Sequence, residues 1–111
     1  MMKLAMNESA ARNSNEHLSR MALSHRFASD QHVPFMCECA DAECHETVML
    51  SLDEYQQVRA HANRFLLVAG HEDPDPTHER VVLAGNGYDI VEMIGVAGRE
   101  AARLDQRRRT H

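Results

Sequence analysis

Cys37-Glu38-Cys39-Ala40-Asp41-Ala42-Glu43-Cys44 holds all three cysteines of a 111-residue chain. A short apolar run, a helix with its own cap, a second apolar run and then Gly70-His71 follow it. Zinc takes four tetrahedral ligands, favours thiolate and imidazole, and in a structural site leaves no position open. Cys37, Cys39 and Cys44 put three thiols on one loop, and His71 comes from a second loop after a strand-helix-strand excursion that can return the chain to its start. A Zn2+ ion held by Cys37, Cys39, Cys44 and His71 would join the two ends of that excursion, closing a loop that a small core struggles to order. Three thiolates, a neutral imidazole and a dication leave such a site with a charge of about −1.

The spacing is less diagnostic than a pair of CxxC motifs, so reduced cysteines without metal and an iron–sulfur cluster stay open as alternatives. His45 ranks second to His71 as fourth ligand, because neighbouring side chains such as Cys44 and His45 rarely reach one ion without distortion. Asp41, Glu43 and His32 follow. His17, His25, His61, His78 and His111 lack partners at ligand spacing and are read as surface groups.

The chain length fits one small domain. With no Trp and only five Phe or Tyr, the core must be aliphatic and rich in Met, and such a core benefits from a metal staple. No apolar run approaches the roughly 20 residues that span a bilayer. The first fifteen residues show neither an apolar signal region nor a cleavage site, so reduced thiols and a cytoplasmic location are expected. Charge is uneven: residues 1–36 carry a net +1, residues 37–98 a net −9 and residues 99–111 a net +3. An acidic body repels phosphate, which disfavours nucleic-acid binding through it. The Arg107-Arg108-Arg109 cluster is read as a solvated helix end whose cations suit the dipole.

Along the chain, residues 1–30 form an N-terminal helical segment, residues 31–96 the zinc-binding α+β domain and residues 97–111 a polar C-terminal helix or tail. Leu4, Ala11, Leu18, Met21, Ala22 and His25 give the first helix a thin apolar stripe, with a break expected near Asn13-Ser14-Asn15. That stripe is free to pack on the zinc domain, to pair with another copy in a homo-oligomer, or to order on a partner. Asp30 to Pro34 reads as a linker, since Pro34 turns Val33 away from helix. Glu46 to Leu50 reads as a strand, and Ser51-Leu52-Asp53-Glu54 as a capping box opening a helix to about Ala62. Phe65 to Val68 is a buried strand, and Arg80 to Ile94 a hairpin turning on Asn86-Gly87. A final helix is expected from Val96 to Arg109. The class is α+β, with a small, mainly antiparallel sheet, a capped central helix and terminal helices.

Catalysis finds no support in the motifs, and no catalytic residue is assigned. Glu38, Glu72 and Asp73 are the carboxylates near enough in sequence to serve a metal-bound water, but three thiolates make zinc a poor Lewis acid. There is no His-x-Glu with Pro-Cys-x-x-Cys, no Walker loop and no GxGxxG.

The strings Phe35-x-Cys37-Glu38-Cys39-Ala40-Asp41-x-x-Cys44, Leu52-x-Glu54-Tyr55-x-x-Val58-Arg59, Arg64-Phe65-Leu66 with Gly70-His71-Glu72, and Glu79-Arg80-Val81-Val82 resemble a family of small Cys3His proteins of high-GC Gram-positive bacteria. The resemblance covers roughly residues 35–92 and extends faintly to Arg12-Asn13 and Arg20. It implies that Cys37, Cys39, Cys44 and His71 form a unit, and it implies no activity. The chain departs from the family pattern at Ala69, where Pro is expected, and at Met93, where Lys is expected. The function expected from all this is a non-enzymatic zinc module that binds another protein through its N-terminal helix or acidic face, in a regulatory or transcription-associated role. A thiol redox sensor and a nucleic-acid-binding zinc protein are the alternatives.

Overall fold

The computed structural model describes residues 2–28, 30–41, 43–73, 75–105 and 107, with side chains from residue 6 onward. Among these, three helices and five strands make an α+β fold. In chain order they are α1 (Met2–Ser24), β1 (His32–Met36), β2 (Thr47–Ser51), α2 (Leu52–Arg59), β3 (Arg64–Val68), β4 (Glu79–Ala84), β5 (Tyr88–Met93) and α3 (Gly95–Arg103). All strand pairs are antiparallel. The pairing divides the expected sheet in two: β1 with β2, and β3-β5-β4.

β3 is the centre of the packing, with Phe65, Leu66 and Leu67 all fully buried. Leu66 joins one apolar cluster with Phe35, Leu50, Tyr55 and Ile90. Phe65 and Leu67 join another with Val91, Met93, Ala97, Cys37 and Cys39. A strand covered on both faces needs an unbroken apolar run, which residues 65–68 supply. Its outer edge is covered by the cysteine segment: Glu38 N–H donates to Leu66 O at 2.7 Å and Val68 N–H to Cys37 Sγ at 3.2 Å.

Ser51 caps α2 as expected, its hydroxyl accepting the Glu54 N–H while the Glu54 carboxylate accepts the Ser51 N–H. The helix stops at Arg59, short of Ala62, because Asn63 is engaged with the end of β5. Its carbonyl accepts from Met93 N–H at 2.8 Å, and its amide donates to Met93 O at 2.9 Å. β1 replaces most of the expected linker. Pro34 lies opposite Met49, on a strand whose one sheet neighbour among the described residues is β2, and edge strands tolerate a residue without N–H. The hairpin forms with Gly87 at φ +81°, and Val82 is an extra residue on β4, since Val81 faces Val91 and Leu83 faces Ile90. Val81, Val82 and Leu83 are exposed.

α3 ends at Arg103, earlier than expected, because the chain beyond it serves an ion cluster. Asp105 accepts from the Arg59 guanidinium and from Arg107 N–H, and Arg107 donates to Glu16 at 2.9 Å. The cations at this end therefore include one clamped against α1. Arg108, Arg109 and His111 lie outside the described residues.

α1 differs most from its sequence pattern. It runs unbroken through Asn13-Ser14-Asn15, and its buried face is polar: Glu8, Ser9, Arg12, Asn15, Glu16 and Ser19, ending on Ala22. In the anticipated stripe, Met21 and His25 are exposed, while Ala11 and Leu18 are half-buried. The helix packs on β1 and α3 through directed bonds. Arg12 donates to Ala62 O at 2.5 Å and Ala101 O at 2.9 Å, with its guanidinium 4.4 Å from the Phe65 ring centre. Asn15 accepts from Met36 N–H and donates to Met36 O and to Glu38, each at 2.8 Å. Among the described residues, no helix is long and apolar enough to cross a membrane.

Replacing Asn15 with Ala strands Met36 N–H and O in a water-poor seam and should lower stability by about 2–4 kcal/mol in urea denaturation. Met21→Ala, on the outward side of the same helix, should change it by less than about 0.5 kcal/mol. Equal effects would mean that the apolar stripe, and not the polar face, docks α1.

Candidate metal centre

Cys37 and Cys39 leave the end of β1 on alternating positions, so both sulfurs fall on the side that faces Phe65, Leu67 and Met93. The chain then folds back, with Cys44 N–H donating to Asp41 O at 3.0 Å, and Asp41 Oδ1 accepting from Glu43 N–H at 2.9 Å. This tight loop returns Cys44 beside the first two thiols. On the far side, β3 ends in a turn in which His71 N–H donates to Val68 O at 3.0 Å. Gly70 is the third residue of that turn and has φ +89°, a conformation that side chains with a Cβ resist. Ala69 fills the second position where Pro is common, and its N–H donates to Gly87 O at 3.2 Å, a bond Pro would forfeit.

Together these turns bring Cys37, Cys39, Cys44 and His71 into one group, with a ligand atom of each within 4.8 Å of the others. His71 Nδ1 lies 3.6 Å from Cys37 Sγ and 3.7 Å from Cys44 Sγ. A tetrahedral ion with bonds of about 2.3 Å to sulfur and about 2.05 Å to nitrogen sets sulfur and nitrogen about 3.6 Å apart. The group can hold a metal ion.

The rest of the imidazole is also committed. His71 Nε2 lies 3.0 Å from Glu46 Oε2, so a proton on Nε2 leaves the Nδ1 lone pair facing the sulfurs. Cys37 and Cys39 are only 3 % and 5 % exposed. Burial pushes the free Cys37 thiol up to about 12 and raises that of Cys39 as well. The Val68 N–H acts the other way at Cys37, favouring the thiolate that a cation would stabilise.

The alternative ligands fall outside this group of four. His45, His32, Asp41 and Glu43 are exposed, and His45 lines a cavity of about 210 Å³ against Cys44 and Ala11 of α1. Of the carboxylates considered for catalysis, Glu38 and Asp73 are engaged elsewhere. Glu38 is fully buried and points away, accepting from Tyr55 OH at 2.5 Å, Asn15 Nδ2 at 2.8 Å and Leu66 N–H at 2.9 Å. Burial raises its pKa, and those three donors with the charge of Arg12 pull against that rise. Glu72 is half-buried, and Asp73 faces His78 at 3.5 Å. His78 is itself half-buried between Asp73 and Asp75, not the surface group expected. Glu46 escaped notice as a partner of His71 because a lone carboxylate two residues past Cys44 carries no spacing signal. No family model, curated protein or solved structure matches this chain.

Glu46→Ala removes the acceptor that orients His71 and should weaken metal binding about tenfold, the low end for an outer carboxylate because Glu46 is 61 % exposed. His45→Ala should leave affinity unchanged. Competition titration against a chromophoric chelator distinguishes the two.

Proposed function

We propose that this chain is a zinc protein whose ion is structural, and that the folded module works by binding another protein without catalysis. What supports this most directly is the sulfur–nitrogen spacing at His71, which suits an ion already holding three thiolates. Three soft sulfurs and an imidazole select zinc over hard cations, and four protein ligands leave no position for a substrate or an activated water. The carboxylate nearest in sequence to two of the cysteines, Glu38, is turned into the fold, away from any place where it could act as a base. The role of the ion is then to bind the β1 end to the turn after β3, fixing the segment that covers the β3 edge.

A protein partner fits the surface better than a nucleic acid, since residues 37–98 carry a net −9. α1 spends its polar face on the body and leaves Met6, Met21 and Leu23 exposed on the outside, an inversion of the usual amphipathic pattern. The regulatory character of the module rests on this combination of a fixed scaffold and an outward apolar helix face.

Purified protein should contain one equivalent of zinc, and Cys39→Ser should lose it. Chelation should lower Tm by about 15 °C or more. Retention of full stability without metal would contradict a structural ion. Met21→Asp with Leu23→Asp should preserve metal content and folding yet abolish partner capture from the native host, read against the unsubstituted chain. Undiminished capture would remove α1 from the binding surface.

A further inference from the structure

Glu8 of α1 and Glu79 of β4 meet inside the protein, at 1 % and 3 % exposure. The two carboxyls lie within hydrogen-bonding reach of each other. Glu79 Oε1 accepts from Asp73 N–H at 2.5 Å, but no donor among the described residues reaches Glu79 Oε2 or either oxygen of Glu8. Two buried carboxylates cannot both be ionised without a compensating charge.

Among the described residues, no cation is among the groups that act most strongly on the pair. The groups that act on Glu8 are Glu79, Glu38 and Asp73, and those that act on Glu79 are Glu8, Asp73 and Glu72. Arg12, one turn along α1, is turned to Ala62 and Ala101, and His78 faces Asp73 and Asp75. A bridging cation would need more oxygens than the pair presents. Among the described residues, the cysteine–histidine group alone brings three possible ligands within 4.8 Å of one another. A proton needs only two oxygens and no room.

We propose that Glu8 and Glu79 share one proton that fastens α1 to β4, making the docking of this helix a pH-sensitive latch that loosens as the solution becomes alkaline. The latch does not depend on the metal. Burial, followed by the charge of Glu79, pushes Glu8 up from 4.5 to about 10. The docked helix therefore keeps a proton that the undocked helix gives up. The stabilisation is complete below about pH 4.5 and is lost progressively until about pH 10. In that window each pH unit multiplies the undocking constant about tenfold. The outward helix face proposed to bind a partner thus sits on an element whose hold weakens with rising pH.

Glu8→Gln keeps the shape of the protonated acid and donates its amide to Glu79 without a titrating proton. In zinc-loaded full-length protein, urea unfolding followed from pH 6 to pH 9 should show the unfolding constant of the native chain rising about tenfold more per unit than that of E8Q. Glu79→Gln should flatten the profile in the same way, which covers the case in which E8Q fails to fold. Carbon-13 spectra of the native chain at pH 7 should show one glutamic acid carboxyl in the protonated form, absent from E8Q. Parallel stability profiles, or glutamates that are all ionised at pH 7, would overturn the latch. So would a calcium-induced stabilisation of the native chain at pH 8 that E8Q lacks, since the pair would then hold a cation.

Discussion

The Glu38 carboxylate is the junction on which the architecture depends. It sits between two cysteines, fully buried, and receives hydrogen bonds from α1 through Asn15, from α2 through Tyr55 and from β3 through Leu66. Its own N–H donates to Leu66 O, so one residue meets β3 with both backbone and side chain. Tyr55 is held in turn by stacking on Phe35, with ring centres 4.3 Å apart. Burial and the neighbouring Glu38 raise the Tyr55 pKa, so the phenol remains a donor. Three elements converge on one carboxylate, and the flanking sulfurs inherit their positions from it.

A second buried polar centre closes the opposite side. Burial works against the charge of Arg59, yet its bonds to Glu16 and Asp105 more than offset this and raise its pKa. Burial also works against ionisation of Glu16, and there Arg107 and Arg59 prevail and lower its pKa. Through this cluster α1, α2 and the end of the chain past α3 are joined. A protein without Trp and with five Phe or Tyr cannot rely on large rings, and directed charge-assisted bonds supply the specificity that ring packing would otherwise give.

Features with local or chemical signatures were legible in the sequence. The Ser51–Glu54 box, Asn86-Gly87, the apolar run at 65–68 and the pairing of three cysteines with Gly70-His71 each carry their cause within a few residues or within the donor set. α1 was misread because polar side chains are normally assigned to solvent. Their partners lie far along the chain, Arg12 with Ala101 and Glu16 with Arg59, and nothing near them announces it. β1 was hidden by Pro34, which signals extended chain without saying whether a neighbour pairs with it. Glu46 and Glu8 acquire meaning only once His71 and Glu79 stand beside them.

The extra residue at Val82 has a consequence for how copies of this protein coexist. β4 ends its sheet and carries three exposed branched aliphatic side chains in a row. A flat strand of that composition would template the addition of another strand and, repeated, a fibril. The bulge breaks the even spacing of donors and acceptors along this rim and sharpens its twist. An incoming segment can therefore match only part of it, which disfavours repeated strand addition along this apolar border.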